Sequence, residues 1–144
     1  MPEKETLERA RKDKREGKAP STQAGEFVRE EIEHIREGKH GARSTKQAIA
    51  IGLSKARRAG VDLPASASSS EETKEQAARD TRKARSRKRP SSKRSRATRK
   101  ALKREGRSAA SKEALSRQAR SVAKRRSAAS RSRSAKKAAA TRKK

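Results

Sequence analysis

Cysteine is absent from the 144-residue chain, which removes disulfide staples, thiolate metal sites and a cysteine nucleophile. Trp and Tyr are absent too, and Phe27 is the one aromatic residue. Recognition of single strands relies on aromatic rings that stack on bases, so this composition argues against a dedicated single-strand or RNA-recognition module. Large apolar side chains are scarce as well. Of the hydrophobic residues 26 are Ala, leaving five Leu, four Ile, three Val, Phe27 and Met1. That is too little for a sizeable core, and bounds the chain to one small domain with a large unstructured remainder, or to no domain at all. No window approaches the roughly 20 apolar residues of a membrane span, and the N-terminal stretch lacks an apolar signal core. A soluble, cytoplasmic protein without membrane contact is expected.

What the chain has in excess is positive charge, a formal +27, and it is unevenly placed. Residues 1–64 carry 15 basic and 11 acidic residues, whereas residues 81–144 carry 27 basic residues and only Glu105 and Glu113. The pattern predicts four segments: a solvated N-terminal stretch (1–20), a helical hairpin (21–63), a linker (64–70) and a basic low-complexity tail (71–144). The expected fold class is all-α, a small helical hairpin plus a largely disordered, helix-prone Lys/Arg/Ala/Ser-rich tail.

Within the hairpin, Ala24, Phe27, Val28, Ile32 and Ile35 fall on one arc of a helix, with Glu26, Glu30, Glu33 and Glu37 on the other side. The second helix, "STKQAIAIGLSKARRAGV", is specified at both ends. Ser44 and Gln47 match a capping box, Gly60 suits a left-handed C-terminal cap, and Pro64 forbids continuation. Ala48, Ile49, Gly52, Leu53, Ala56 and Ala59 share its inner face, where small residues permit close approach of the first helix. Ile51 points away from that face. With Lys55, Arg57 and Arg58 it forms a candidate contact for a second copy, giving a homodimer through the hairpin, or for a groove; either is the alternative to an isolated exposed Ile.

The tail repeats "RSAAS" at Arg107 and Arg126 without the fixed period of a solenoid. Helices are expected from about Ser70 to Arg87, stopped by Pro90, and from Ser111 to Arg126. Mutual repulsion of the cations should leave the later helices partly unfolded until a polyanion is bound. The candidate phosphate-binding residues are Arg82, Lys83, Arg85, Arg87, Lys88 and Arg89, then Lys93, Arg94, Arg96, Arg99, Lys100, Lys103 and Arg104. Arg117, Arg120, Lys124, Arg125, Arg126, Arg131, Arg133, Lys136 and Lys137 complete the set. The net +25 of residues 81–144 could neutralise about 40 Å of duplex DNA, roughly twelve base pairs.

Other chemistry is sparse. His34 and His40, with Glu37 between them, do not complete a tetrahedral ligand set, so no metal and no cofactor is expected. No acid, base or nucleophile is poised, and the chain is not expected to be an enzyme.

The stretch from Ser21 to Pro64, above all "GKHGARSTKQAIAIGLSKARRAG", resembles the shared segment of a family of small basic bacterial proteins of unknown function, in which a Lys-Gln-Ala-Ile-Ala helix precedes a basic tail. The tail resembles in composition those of linker-histone-like proteins, which implies DNA compaction. It is richer in Arg (16) than in Lys (11), which leaves RNA open as a target. The expected function is that of a histone-like, nucleoid-associated protein that coats, bridges or compacts DNA without sequence preference. The alternatives are an RNA- or ribosome-associated basic protein, and a protein-interaction hairpin localised by a cationic tail.

Overall fold

The computed structural model describes residues 1–86 and 88–143, and those residues are all-helical. Seven α-helices follow in chain order: α1 (Lys4–Arg15), α2 (Pro20–Arg36), α3 (Thr45–Arg58), α4 (Glu71–Ala84), α5 (Ser92–Lys103), α6 (Lys112–Arg125) and α7 (Ala128–Arg142). A 3₁₀ turn, Ser108–Ala110, precedes α6.

The first three helices stop by one device. Gly17, Gly38 and Gly60 adopt positive φ, and the residue after each donates back to its helix: Lys18 to the Asp13 carbonyl at 2.9 Å, Lys39 to that of His34 at 2.9 Å, Val61 to that of Ala56 at 3.0 Å. These glycine-terminated ends satisfy carbonyls that the helices leave unpaired. They also turn the chain sharply, so that α2 and α3 pack against each other. Gly52 makes that packing close, because a Cβ there would lie 2.6 Å from the Val28 Cα.

Between α2 and α3 the core divides in two. At one end Ala24, Phe27, Ala56 and Val61 are joined by Ala10 of α1, with Leu7, Leu53 and Leu63 against them. At the other end Ile32, Ile35, Ala42 and Ala48 are joined by Ala109 and Ala110 from the turn before α6, with Val28 and Leu115 against them.

Two expectations are corrected here. The N-terminal stretch is not merely solvated, because α1 lies on α2 and buries Thr6, Ala10 and Asp13. Those residues recur at helical spacing but are small or polar, so they form a contact stripe without a hydrophobic one. Its docking covers part of the acidic side of α2. Glu30 is buried, and its carboxylate accepts from the Glu3 backbone N–H at 3.0 Å, while Glu26 accepts from Arg9 at 2.7 Å. The described residues of the basic segment from Glu71 onward are not disordered, since α4 to α7 take up most of them. Each of these helices starts at a serine whose hydroxyl accepts a backbone N–H three residues on: Ser70 from Thr73, Ser91 from Arg94, Ser111 from Ala114 and Ser127 from Ser130.

Two parts of this segment are anchored to the hairpin. α4 lies on α3, burying Ala77 and Asp80. Arg58 donates to Asp80 Oδ1 at 2.8 Å, and Gln76 donates to the same carboxylate at 3.2 Å. Burial raises the Asp80 carboxyl, but hydrogen bonds from Ser54, Arg58 and Gln76 outweigh it and hold the group below the ordinary range. The second anchor is the end of α5 and the turn after it. Gly41 N–H donates to the Leu102 carbonyl at 2.9 Å and Ala42 N–H to that of Gly106 at 3.1 Å. Thr45 donates its hydroxyl to the Ala109 carbonyl at 2.7 Å, and Arg36 reaches the Ala110 carbonyl at 2.9 Å.

Candidate nucleic-acid interface

Helix formation turns a cationic composition into cationic surfaces. α5 buries none of its residues, and at 100° per residue Lys93, Arg96, Arg99, Lys100 and Lys103 fall within about a third of its circumference. On α6, Leu115 packs on the core at the turn before the helix, whereas Arg117, Arg120 and Lys124 lie across the helix from it at i, i+3 and i+7. That stripe is about 10 Å long. α7 has no such sidedness: Arg131, Arg133, Lys136 and Lys137 are spread around it, and it buries nothing. Arg82, Lys83 and Arg85 are exposed at the end of α4, and Lys88, Arg89 and Arg104 are exposed between helices. Arg125 and Arg126 are exposed at the junction of α6 and α7. Arg87 lies outside the described residues.

None of the described residues in this set has a carboxylate within ion-pairing distance among the described residues. The pairs formed by the described residues of 71–143 are Lys74–Glu71 and Arg79–Glu75 within α4, Arg58–Asp80 between α3 and α4, and Arg43–Glu105 at 4.0 Å. Arg126 instead reaches the Ser130 hydroxyl at 3.0 Å and Arg120 that of Ser116 at 2.9 Å.

The structure adds a feature that composition did not reveal. The N-terminus of α3, capped by Ser44, and that of α6, capped by Ser111, open onto one groove bordered by Arg43, Lys46, Arg117, Gln118 and Ser121. Arg36, Arg107 and Lys112 line an adjoining hollow. Helix N-termini present partly positive backbone N–H groups, and the flanking cations add to that field. The sequence signal for α6 was its Ser111 cap; its pairing in space with Ser44 depends on the buried Ala109–Ala110 turn.

The candidate contact on the hairpin is largely engaged within the fold. Lys55 bonds Glu31 and lies 3.4 Å from Glu30, the buried Arg57 donates to the Leu63 carbonyl at 2.7 Å, and Arg58 holds Asp80. Ile51, two turns before Arg58, is half-buried rather than exposed; the exposed large apolar residues are Met1 and Val122.

Residues 4–66 match a family of unknown function (DUF6496). The matched segment spans α1, α2 and α3, and leaves α4 to α7 outside it. Comparison with curated proteins and with solved structures gave no match. No helix among the described residues is long and apolar enough to cross a membrane.

Proposed function

We propose that this protein binds DNA without sequence preference, as a nucleoid-associated protein of histone-like type that coats, bridges or compacts the duplex, and that it works by binding rather than as an enzyme. The observation that carries this reading is the array of exposed cations from Arg82 at the end of α4 through α7, which have no acidic partners among the described residues, unlike Lys74 and Arg79 earlier in α4. Each contact to a phosphate releases a condensed counterion, which makes binding strong at low salt and indifferent to base order. Helices that present cations on different sides suit bridging, because one molecule can face more than one duplex segment. The Arg-rich balance of the tail favours RNA as a second reading.

Fluorescence anisotropy tests this with two duplexes of unrelated sequence and a structured RNA, titrated by the full chain at matched salt. Equal affinity for the duplexes is expected. If about eight phosphates are engaged, that affinity falls by about four decades between 50 and 200 mM salt. The variant Arg117→Gln/Arg120→Gln/Lys124→Gln should reduce the slope of log affinity against log salt by about 2.7. Tighter binding of the RNA at every salt concentration would favour the second reading. Affinity that ignores salt would refute both.

A further inference from the structure

Beside this cationic surface, three ligand-type side chains converge at the turn between α2 and α3. Glu31 is 1% exposed, His34 follows it by one helical turn, and His40 returns to it after the Gly38 turn. One donor atom from each lies within 4.8 Å of the others. Glu31, not Glu37, is the acidic member, since Glu37 pairs with Lys39 at 3.0 Å.

Their outer partners orient all three groups. His34 Nε2 is held by the Glu3 carboxylate at 2.9 Å, which leaves Nδ1 facing Glu31 Oε1 at 3.9 Å. His40 Nδ1 donates to the Gly41 carbonyl at 2.9 Å, which directs Nε2 at Glu31 Oε2, 3.2 Å away. That oxygen is buried and has no hydrogen-bond partner among the described residues. An imidazole nitrogen and a carboxylate oxygen this close need a positive centre between them, which a metal ion or a second ring proton supplies. Lys55 does not supply it, because its ammonium sits on the other oxygen, Oε1, and is shared with Glu30. Two buried carboxylates therefore share one lysine.

The geometry points to a divalent transition-metal site, best matched to Zn²⁺, with Glu31 Oε2, His34 Nδ1 and His40 Nε2 as protein ligands and water in the remaining position. Tetrahedral coordination at about 2.0–2.1 Å places neighbouring donor atoms about 3.3 Å apart, close to the His40–Glu31 separation. Two imidazoles with one carboxylate select a borderline metal over Mg²⁺ or Ca²⁺. Glu3 and the Gly41 carbonyl are the outer partners that fix the ring nitrogens of metal-binding histidines. A bound ion would tie the start of the chain, α2 and the turn into α3 together.

Titration calorimetry of the full chain with ZnCl₂, and ¹⁵N NMR of its imidazoles, test the site. Expected are one Zn²⁺ per chain, shifts at His34 Nδ1 and His40 Nε2, and a rise in melting temperature of about 5 °C at saturating ion. Mg²⁺ should have no effect. His40→Asn should weaken binding at least about tenfold, and the exposed outer partner Glu3→Gln should weaken it by about tenfold or more while circular dichroism stays unchanged. Glu31→Gln, which alters a buried ion pair, is read only alongside these two. No saturable binding, binding that His40→Asn leaves intact, or a His40 ring that carries both protons and ignores Zn²⁺ would overturn the proposal.

Discussion

Replacing Gly52 by Ala should destabilise the protein, although the same exchange inside a helix ordinarily stabilises. A helical Gly costs about 1 kcal/mol relative to Ala, so the substitution begins with that gain. Against it stands a Cβ that would lie 2.6 Å from the Val28 Cα, 2.9 Å from its Cγ2 and 2.9 Å from its backbone nitrogen. Two of these atoms are backbone and cannot rotate away, so α2 and α3 must separate by several tenths of an ångström along their shared core. Overpacking of this kind costs about 1–3 kcal/mol or more, and here the upper end applies. The net loss should be about 2 kcal/mol, a fall in melting temperature of about 5–10 °C. Gly25 on α2 is the matched control, because a Cβ there meets nothing within 4 Å. Gly25→Ala should raise stability by about 0.5–1 kcal/mol. Thermal melts followed by far-UV circular dichroism compare the two directly. A Gly52→Ala protein that melts at or above the wild-type temperature would refute the close crossing of α2 and α3.

Gly41→Ala should release the second anchor, since its Cβ would fall 2.0 Å from the Glu105 carbonyl oxygen. Limited proteolysis should then cut between Leu102 and Arg107 much faster than in the wild type. Asp80 should make the docking of α4 acid-sensitive. Its folded-state carboxyl is held low, so its contribution is present at neutral pH and is lost as pH falls through that lowered value, below about 4. Hydrogen exchange of α4 amides should show constant protection from pH 7 to 5 and a loss below about 4. Asp80→Asn should lower stability at pH 7 by about 2 kcal/mol and flatten that acid response; an unchanged response would assign it to other carboxylates.

α3 was legible almost residue by residue, because its limits are set by local chemistry. Ser44 accepts from the Gln47 N–H at 3.2 Å, Gly60 has φ 96°, and Val61 closes the turn onto Ala56. The docking of α1 was not legible, since Thr6, Ala10 and Asp13 carry no hydrophobic period. Nor was the burial of Glu30 and Glu31, which depends on partners that approach from α1 and α3, namely the Glu3 N–H and Lys55. The repeated pentapeptide marks the limit most clearly. In its first copy, Arg107 to Ser111, the alanines form a buried 3₁₀ turn and the last serine caps α6. In its second copy, Arg126 to Ser130, the first serine caps α7 and the same alanines are exposed inside that helix. Identical local sequence takes two structures because only the first copy meets Arg36 and Thr45. The cationic site was legible in its residues but not in its arrangement, since charge composition does not encode which helix faces which.

The two anchors change what a cut in the chain does. α4 is held to α3 through Asp80, and the end of α5 is held to Gly41 and Ala42, so the stretch that joins them, with α5 itself, is a loop fastened at both ends. A single nick after Lys88 therefore yields two fragments, each keeping native contacts with the hairpin. They should travel as one particle in a sizing column and part only on denaturation.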